Sequence, residues 1–358
     1  MQDANDRRET GSARSGRRLN APRTGGGLML VLLGLATVAA ATPPPAPAPP
    51  AGEGIVDLEA MVVHGEQPGP GLWKVSRNGH VMWILGTIAP LPRGLQWRAS
   101  EVEQVIAQSQ QVLEPPYISV EADVGFFGQL ALVPSALKAM KNQDGALLVD
   151  VLPPDLYARW LPLKQRYLGR DRGVEKKRPM LAAGELYEAA IRKSGLSPKP
   201  VVWPVVVAAA KRHGIKPTET RLVFKISDPK QALAEFRATH VDESGCFRSL
   251  VNAVQNDLPT MVERANAWSV GDVAALQAMP REDPNAACTD PLANTELARR
   301  RGMDRAKQRL RAHWLEIVRT SMAQHASTFA VLPLSNLLAE DGYLAALRAE
   351  GYEIQAPE

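Results

Sequence analysis

Between residues 72 and 85, two apolar-rich runs flank Asn78-Gly79 in LWKVSRNGHVMWIL. Asn-Gly readily takes the positive φ angles of a type I′ turn, so the pattern predicts a β-hairpin. Beyond the Pro90-Leu91-Pro92 corner, Val102, Val105 and Ile106 share one face of a helix predicted over 99–110. A short strand at 111–114 is stopped by Pro115-Pro116. The middle of the chain reads as helical and poor in strand signals. Helices are predicted over 126–140, 154–167, 178–193 and 205–213, broken by Gly/Pro/Lys stretches. Residues 246–277 read as two further helices and 294–324 as one long amphipathic helix. The end, 328–354, reads strand, loop, helix, strand, with Gly351 placed as a helix C-cap. No internal repeat is evident.

The amino-terminal pattern differs. Residues 1–27 are polar and basic, and 28–41 form a short apolar run ending in Ala39-Ala40-Ala41. Those are the three parts of an export signal, and the run is shorter than the roughly 20 residues of a spanning helix. Cleavage after Ala41 gives a periplasmic or secreted protein; retention gives an inner-membrane anchor, the sole membrane contact then expected. Residues 42–54 are a Pro/Ala linker without large apolar groups to pack, so the folded domain is expected over 55–358.

Charge changes the picture once the signal is set apart. The sequence pI is about 9.1. Six arginines against Asp3, Asp6 and Glu9 lie within 1–41, leaving 36 basic against 35 acidic residues. A nearly neutral body has no global field for nucleic acid, and no such partner is expected. The two cysteines, Cys246 and Cys288, lie in the part expected to be exported. An even count in an oxidising compartment predicts a disulfide, whereas two thiols without a nearby histidine fall short of a zinc shell.

The hairpin, its LGTI end at Leu85–Ile88, the following GLQWR and the AnAWsvGDvaaL stretch at 265–276 resemble the TraB/GumN family, related to the Tiki metalloproteases and the erythromycin-esterase-like enzymes. The resemblance is firmest over 71–114 and 260–354. It implies an α/β (α+β) fold, a small mixed sheet flanked by many helices. It also implies a pocket where the 86–89 and 333–336 strand ends meet Glu114. Active members carry a Gly-x-x-His motif at each of those two strand ends. The first is matched by Gly86 and Ala89; the second by Pro333 and Asn336. A methyl group binds no metal and moves no proton, and an asparagine amide is a poor metal ligand and no general base. The family arginine on the helix before the last strand falls nearest Arg311, with Arg309 as the other candidate. Glu114 stands in the place of the family glutamate. It reads either as a binding or acid/base carboxylate or as a strand-end glutamate paired to a structural arginine.

Other chemistry is sparse. No HExxH, HxH or Gly-x-Ser-x-Gly spacing occurs, and His80 starts the second hairpin strand, about 20 Å from its end. Ser335 is the one hydroxyl in a suggestive place, without a nameable base. The basic run from Arg299 to Arg311 reads as the charged face of a helix, with anionic lipid or polysaccharide as its functional alternative. The leading expectation is a catalytically degenerate family member that needs no metal or other cofactor and binds a peptide, polysaccharide or envelope partner. The rivals are an active hydrolase, metal-dependent or using other residues of the cleft, and a structural envelope protein.

Overall fold

The structure is a computed structural model and describes residues 66–239, 241–279 and 283–357. The export signal at 1–41 and the linker at 42–54 lie outside the described residues.

The hairpin forms as its turn residues dictate. Strands β1 (Leu72–Arg77) and β2 (His80–Thr87) pair antiparallel, and Asn78 and Gly79 both take positive φ, 52° and 81°. A short strand β3 (Leu91–Pro92) follows a cis Ala89–Pro90 bond. Helix α1 (Ser100–Ala107) buries Val102 and Ile106 and leads into β4 (Gln111–Leu113).

Then comes a strand the pattern did not announce, β5 (Ile118–Ala122), before α2 (Phe126–Ala139), α3 (Leu148–Val151), α4 (Pro154–Tyr167) and α5 (Pro179–Lys193). Strand β6 (Leu196–Ser197) pairs with β3, and α6 (Val202–Arg212) precedes a second unannounced strand, β7 (Leu222–Ile226), parallel to β5. Helix α7 (Pro229–Ala238) was also unannounced. Asp228 caps it by accepting from Gln231 N–H at 3.0 Å, with Pro229 at its first position.

The expected pair over 246–277 is α8 (Ser244–Asn252), a π-turn at Ala253–Asp257, α9 (Leu258–Ser269) and the short α10 (Val273–Ala278). Helix α11 (Ala286–Ala293) follows. The single long helix expected over 294–324 is two, α12 (Glu296–Arg300) and α13 (Ala306–Gln324). Gly302, at φ +65°, ends α12 in a Schellman motif: its N–H donates to Arg299 O and that of Met303 to Ala298 O. Strand β8 (Ser327–Pro333) runs directly into α14 (Leu334–Leu338), where a loop was expected. Helix α15 (Tyr343–Ala349) and β9 (Glu353–Gln355) complete the chain, and Gly351, at φ +86°, follows α15 as predicted.

The main sheet has the order β4-β8-β2-β1-β9 and is mixed. β4, β8 and β2 are parallel to one another, while β1 is antiparallel to both β2 and β9. Central β8 is buried from Thr328 through Leu332, as a strand covered on both faces should be. One core cluster surrounds this sheet with Trp73, Trp268, Trp314 and Phe329; a second, helical cluster joins Trp160, Leu186 and Phe247 of α4, α5 and α8. Cys246 and Cys288 form the predicted disulfide, tying α8 to α11. The expected small mixed sheet flanked by helices is therefore present. No described helix is long and apolar enough to cross a membrane.

Candidate functional site

Three parallel neighbours ending at one edge create the site. β4 stops at Leu113, β8 at Pro333 and β2 at Thr87, with Thr87 and Pro333 register partners. The residues that follow each strand therefore emerge side by side, the crevice that open parallel sheets generally offer. Here it is a cavity of about 750 Å³, lined at this edge by Thr87, Ile88, Ala89, Pro90, Glu114, Pro333 and Ser335.

Helices build the opposite wall. Asp257, Thr260, Met261 and Arg264 recur at the three- and four-residue spacing that puts side chains on one helical face, and all four line the cavity. Tyr187 of α5, Trp203 of α6 and residues Asp283, Pro284 and Asn285 complete it. The disulfide anchors the helix that begins next to those last three.

The strand ends are held by ties behind the cavity. The Trp268 indole N–H donates to the Gly86 carbonyl at 2.9 Å. A Cβ on Gly86 would lie 2.7 Å from Leu334 Cδ1 and 2.8 Å from Trp73 Cζ3, so a side chain there would force its neighbours to shift. Glu114 donates its N–H to Thr218 O at 3.1 Å, and its carbonyl accepts from Thr220 Oγ1 at 2.9 Å.

Burial shifts two titratable groups of the cavity upward. Partial desolvation raises the Glu114 carboxyl above the usual glutamate value, Glu219 adds to this and Arg221 opposes it. Arg221 ion-pairs with Glu121 at 2.8 Å and Glu219 at 3.0 Å. Glu114 has no ion pair among the described residues, so the reading of a glutamate paired to a structural arginine is corrected: the nearby arginine is engaged by two other carboxylates. Burial pushes the Tyr187 phenol up to about 12; Asp283 and Asp257 reinforce this and Arg264 opposes it. Tyr187 is thus a protonated phenol at neutral pH, donating to Met261 Sδ at 3.7 Å.

Of the residues singled out in the sequence, Ala89, Glu114, Pro333 and Ser335 meet at the cavity, with Gly86 directly behind it. Asn336, on the exposed side of α14, is not among the lining residues. Neither is Arg311, which donates to the Asp341 carbonyl and lies 3.6 Å from its carboxylate. Arg309 donates to Gly302 O at 2.7 Å and stacks over Phe224. Arg299 and Arg301 pair with Glu296 and Glu235. Arg264 is the arginine that does line the cavity, and the helical spacing from Asp257 was the available signal for it. The residues present do not fit the metal that the resemblance implies. Ala89 offers no donor, Asn336 lies off the cavity, and among the described residues no group of three or more His, Cys, Asp or Glu is placed to hold an ion. His80 Nδ1 lies 2.7 Å from His325 O, at the far end of β2.

Comparison with known proteins finds no match among curated proteins or solved structures. The family model described as TraB/PrgY/gumN family matches residues 71–356, which include every strand and helix of the main sheet and both walls of the cavity. The chain belongs to the TraB/PrgY/gumN family.

Proposed function

We propose that this protein is an exported, ligand-binding member of its family that has given up the metal hydrolysis its relatives' motifs imply. The observation carrying this reading is a retained cavity at the convergent strand ends with Ala89 and Pro333 at the motif positions and Asn336 turned to solvent. Its lining suits a peptide or a polysaccharide of an envelope partner. Pro90, Pro115, Pro198, Pro200 and Pro284 make stiff walls, Tyr117, Tyr187 and Trp203 offer flat faces, and Arg264, Asp257, Asp283 and Glu114 offer charge. Export rests on residues 1–41 of the sequence.

Calorimetric titration of the purified chain with proline-rich peptides and with envelope glycan fragments tests the reading. Binding by one class, lost in Arg264→Ala with the melting temperature kept, is expected. Metal-stimulated peptide cleavage, or a melting temperature lowered by chelator, overturns it. The raised Glu114 carboxyl favours a second reading, a hydrolase with Glu114 as proton donor. Turnover abolished by Glu114→Gln, with binding retained, decides for that one.

A further inference from the structure

Helix α2 is apolar on two sides. Leu132 and Ala136 face an apolar cleft of about 450 Å³ that they share with Leu233 and Phe236 of α7. The opposite stripe carries Phe126, Leu130, Val133, Leu137 and Met140, with Phe127 at its flank, and these six are between 41% and 83% exposed. Their spacing of 4, 3, 4 and 3 residues is the one that keeps side chains on a single helical face. Its polar residues are only Gln129, Ser135 and Lys138, and a continuous apolar stripe of this kind is one that a helix normally buries.

We propose that two copies of this chain associate through this stripe, the α2 helices packed antiparallel about a two-fold axis at Val133. Burying the six side chains removes on the order of 600 Å² per copy, close to the roughly 800 Å² per partner of a standard interface. The stripe is self-complementary in that arrangement. With Val133 on Val133, Phe126 of one copy meets Met140 of the other, and the leucines at 130 and 137 interdigitate. Charge follows the same symmetry. Exposed Asp123 precedes the stripe and exposed Lys141 follows it, and neither has an ion pair among the described residues. The two-fold brings each Lys141 to the end of the partner helix where Asp123 lies. A membrane surface suits this helix less well, since interfacial helices carry a Lys/Arg-rich polar face, and α2 has a single basic residue, Lys138.

Sedimentation equilibrium of the full-length chain tests the proposal. The wild type is expected at twice the monomer mass of 38.8 kDa in the micromolar range. Val133→Glu and Leu130→Glu should weaken association about 30-fold or more while leaving the circular dichroism spectrum unchanged. Asp123→Lys should weaken it, and adding Lys141→Asp should restore it. Val133→Cys should give an interchain disulfide on mild oxidation, as a residue on the axis must. A monomeric wild type overturns the proposal, whether the stripe then binds anionic vesicles or the apolar run 28–41 of its own chain. A dimer indifferent to Val133→Glu and Leu130→Glu, and not cross-linked by Val133→Cys, overturns it equally.

Discussion

Trp268 donates its indole N–H to the carbonyl oxygen of Gly86 at 2.9 Å, deep in the core. This one bond joins the helical wall of the cavity to the strand edge opposite. Trp268 is fully buried and packs edge-on to Trp97, 5.9 Å between ring centres, while Ser269 next to it accepts from Gly69 N–H at 2.8 Å. The segment thus works as a clamp across the base of the site.

Trp268→Phe should cost about 1–3 kcal/mol, because it keeps most of the apolar bulk and leaves a buried carbonyl unpaired. Trp268→Ala should cost about 3–5 kcal/mol, since a cavity is added to the lost bond. Gly86→Ala should cost about 1–3 kcal/mol by overpacking against Leu334 and Trp73. Urea denaturation of the three variants checks the order, and a Trp268→Phe protein as stable as wild type would show that the bond contributes nothing net.

Much of this was legible in the sequence, for physical reasons that particular residues show. Asn78-Gly79 announced the hairpin because few other pairs accept two positive φ angles. Glu114, Ala89 and Pro333 could be placed together through the family resemblance, and the structure supplies the physical reason: strands of one parallel set end at one edge. The β5–β7 pair was missed because its strands are short and about 100 residues apart in sequence, so neither local alternation nor a turn marks them. The break after α12 was missed because the arginine-rich pattern continues past Gly302, whose left-handed φ is set by a local Schellman closure. Arg311, with Arg309 as the other candidate, was the match to the family arginine, and Arg264 was not singled out, because a linear pattern shows the face a residue shares, not what that face meets.

The disulfide supplies a prediction about both stability and binding. Cys246 and Cys288 are 42 residues apart, and closing such a loop stabilises by about 4 kcal/mol in the chain-entropy view. Because α11 starts beside Asp283, Pro284 and Asn285, reduction should loosen the cavity wall as well as lower the melting temperature. Hydrogen exchange after reduction should show the fastest gain in 283–293. Exchange unchanged there, with a lowered melting temperature, would confine the bond's effect to the unfolded chain.

Arg178 and Glu243 form a buried pair with side chains 11% and 5% exposed. Arg178 Nε donates to Glu243 Oε1 at 2.5 Å, the other carboxylate oxygen accepts from Met180 N–H at 3.0 Å, and the guanidinium stacks over Phe236. Removing one partner strands the other charge, so Glu243→Ala should cost about 3–5 kcal/mol. The double change Arg178→Met with Glu243→Leu should cost clearly less, because no buried charge remains. Equal losses from single and double variants, measured by chemical denaturation, would refute that reading and assign the cost to packing.

Glu114 gives the pH dependence. Its folded-state pKa is raised above the ordinary 4.5, first by desolvation and then by Glu219. The folded protein therefore holds this proton more tightly than the unfolded chain does. By linkage, the resulting stability is fully present below about 4.5 and is lost as pH rises from there through the folded pKa. Glu114→Gln keeps the shape and removes the charge, so the variant should be at least as stable as wild type at pH 7. The advantage should shrink as pH falls through that window and vanish below it. Thermal melts of both proteins from pH 3 to 8 check this. The opposite sign, a variant less stable at pH 7, would mean that the ionised carboxylate has a stabilising partner in solution, and the absence of an ion pair at Glu114 among the described residues makes that the decisive outcome to look for.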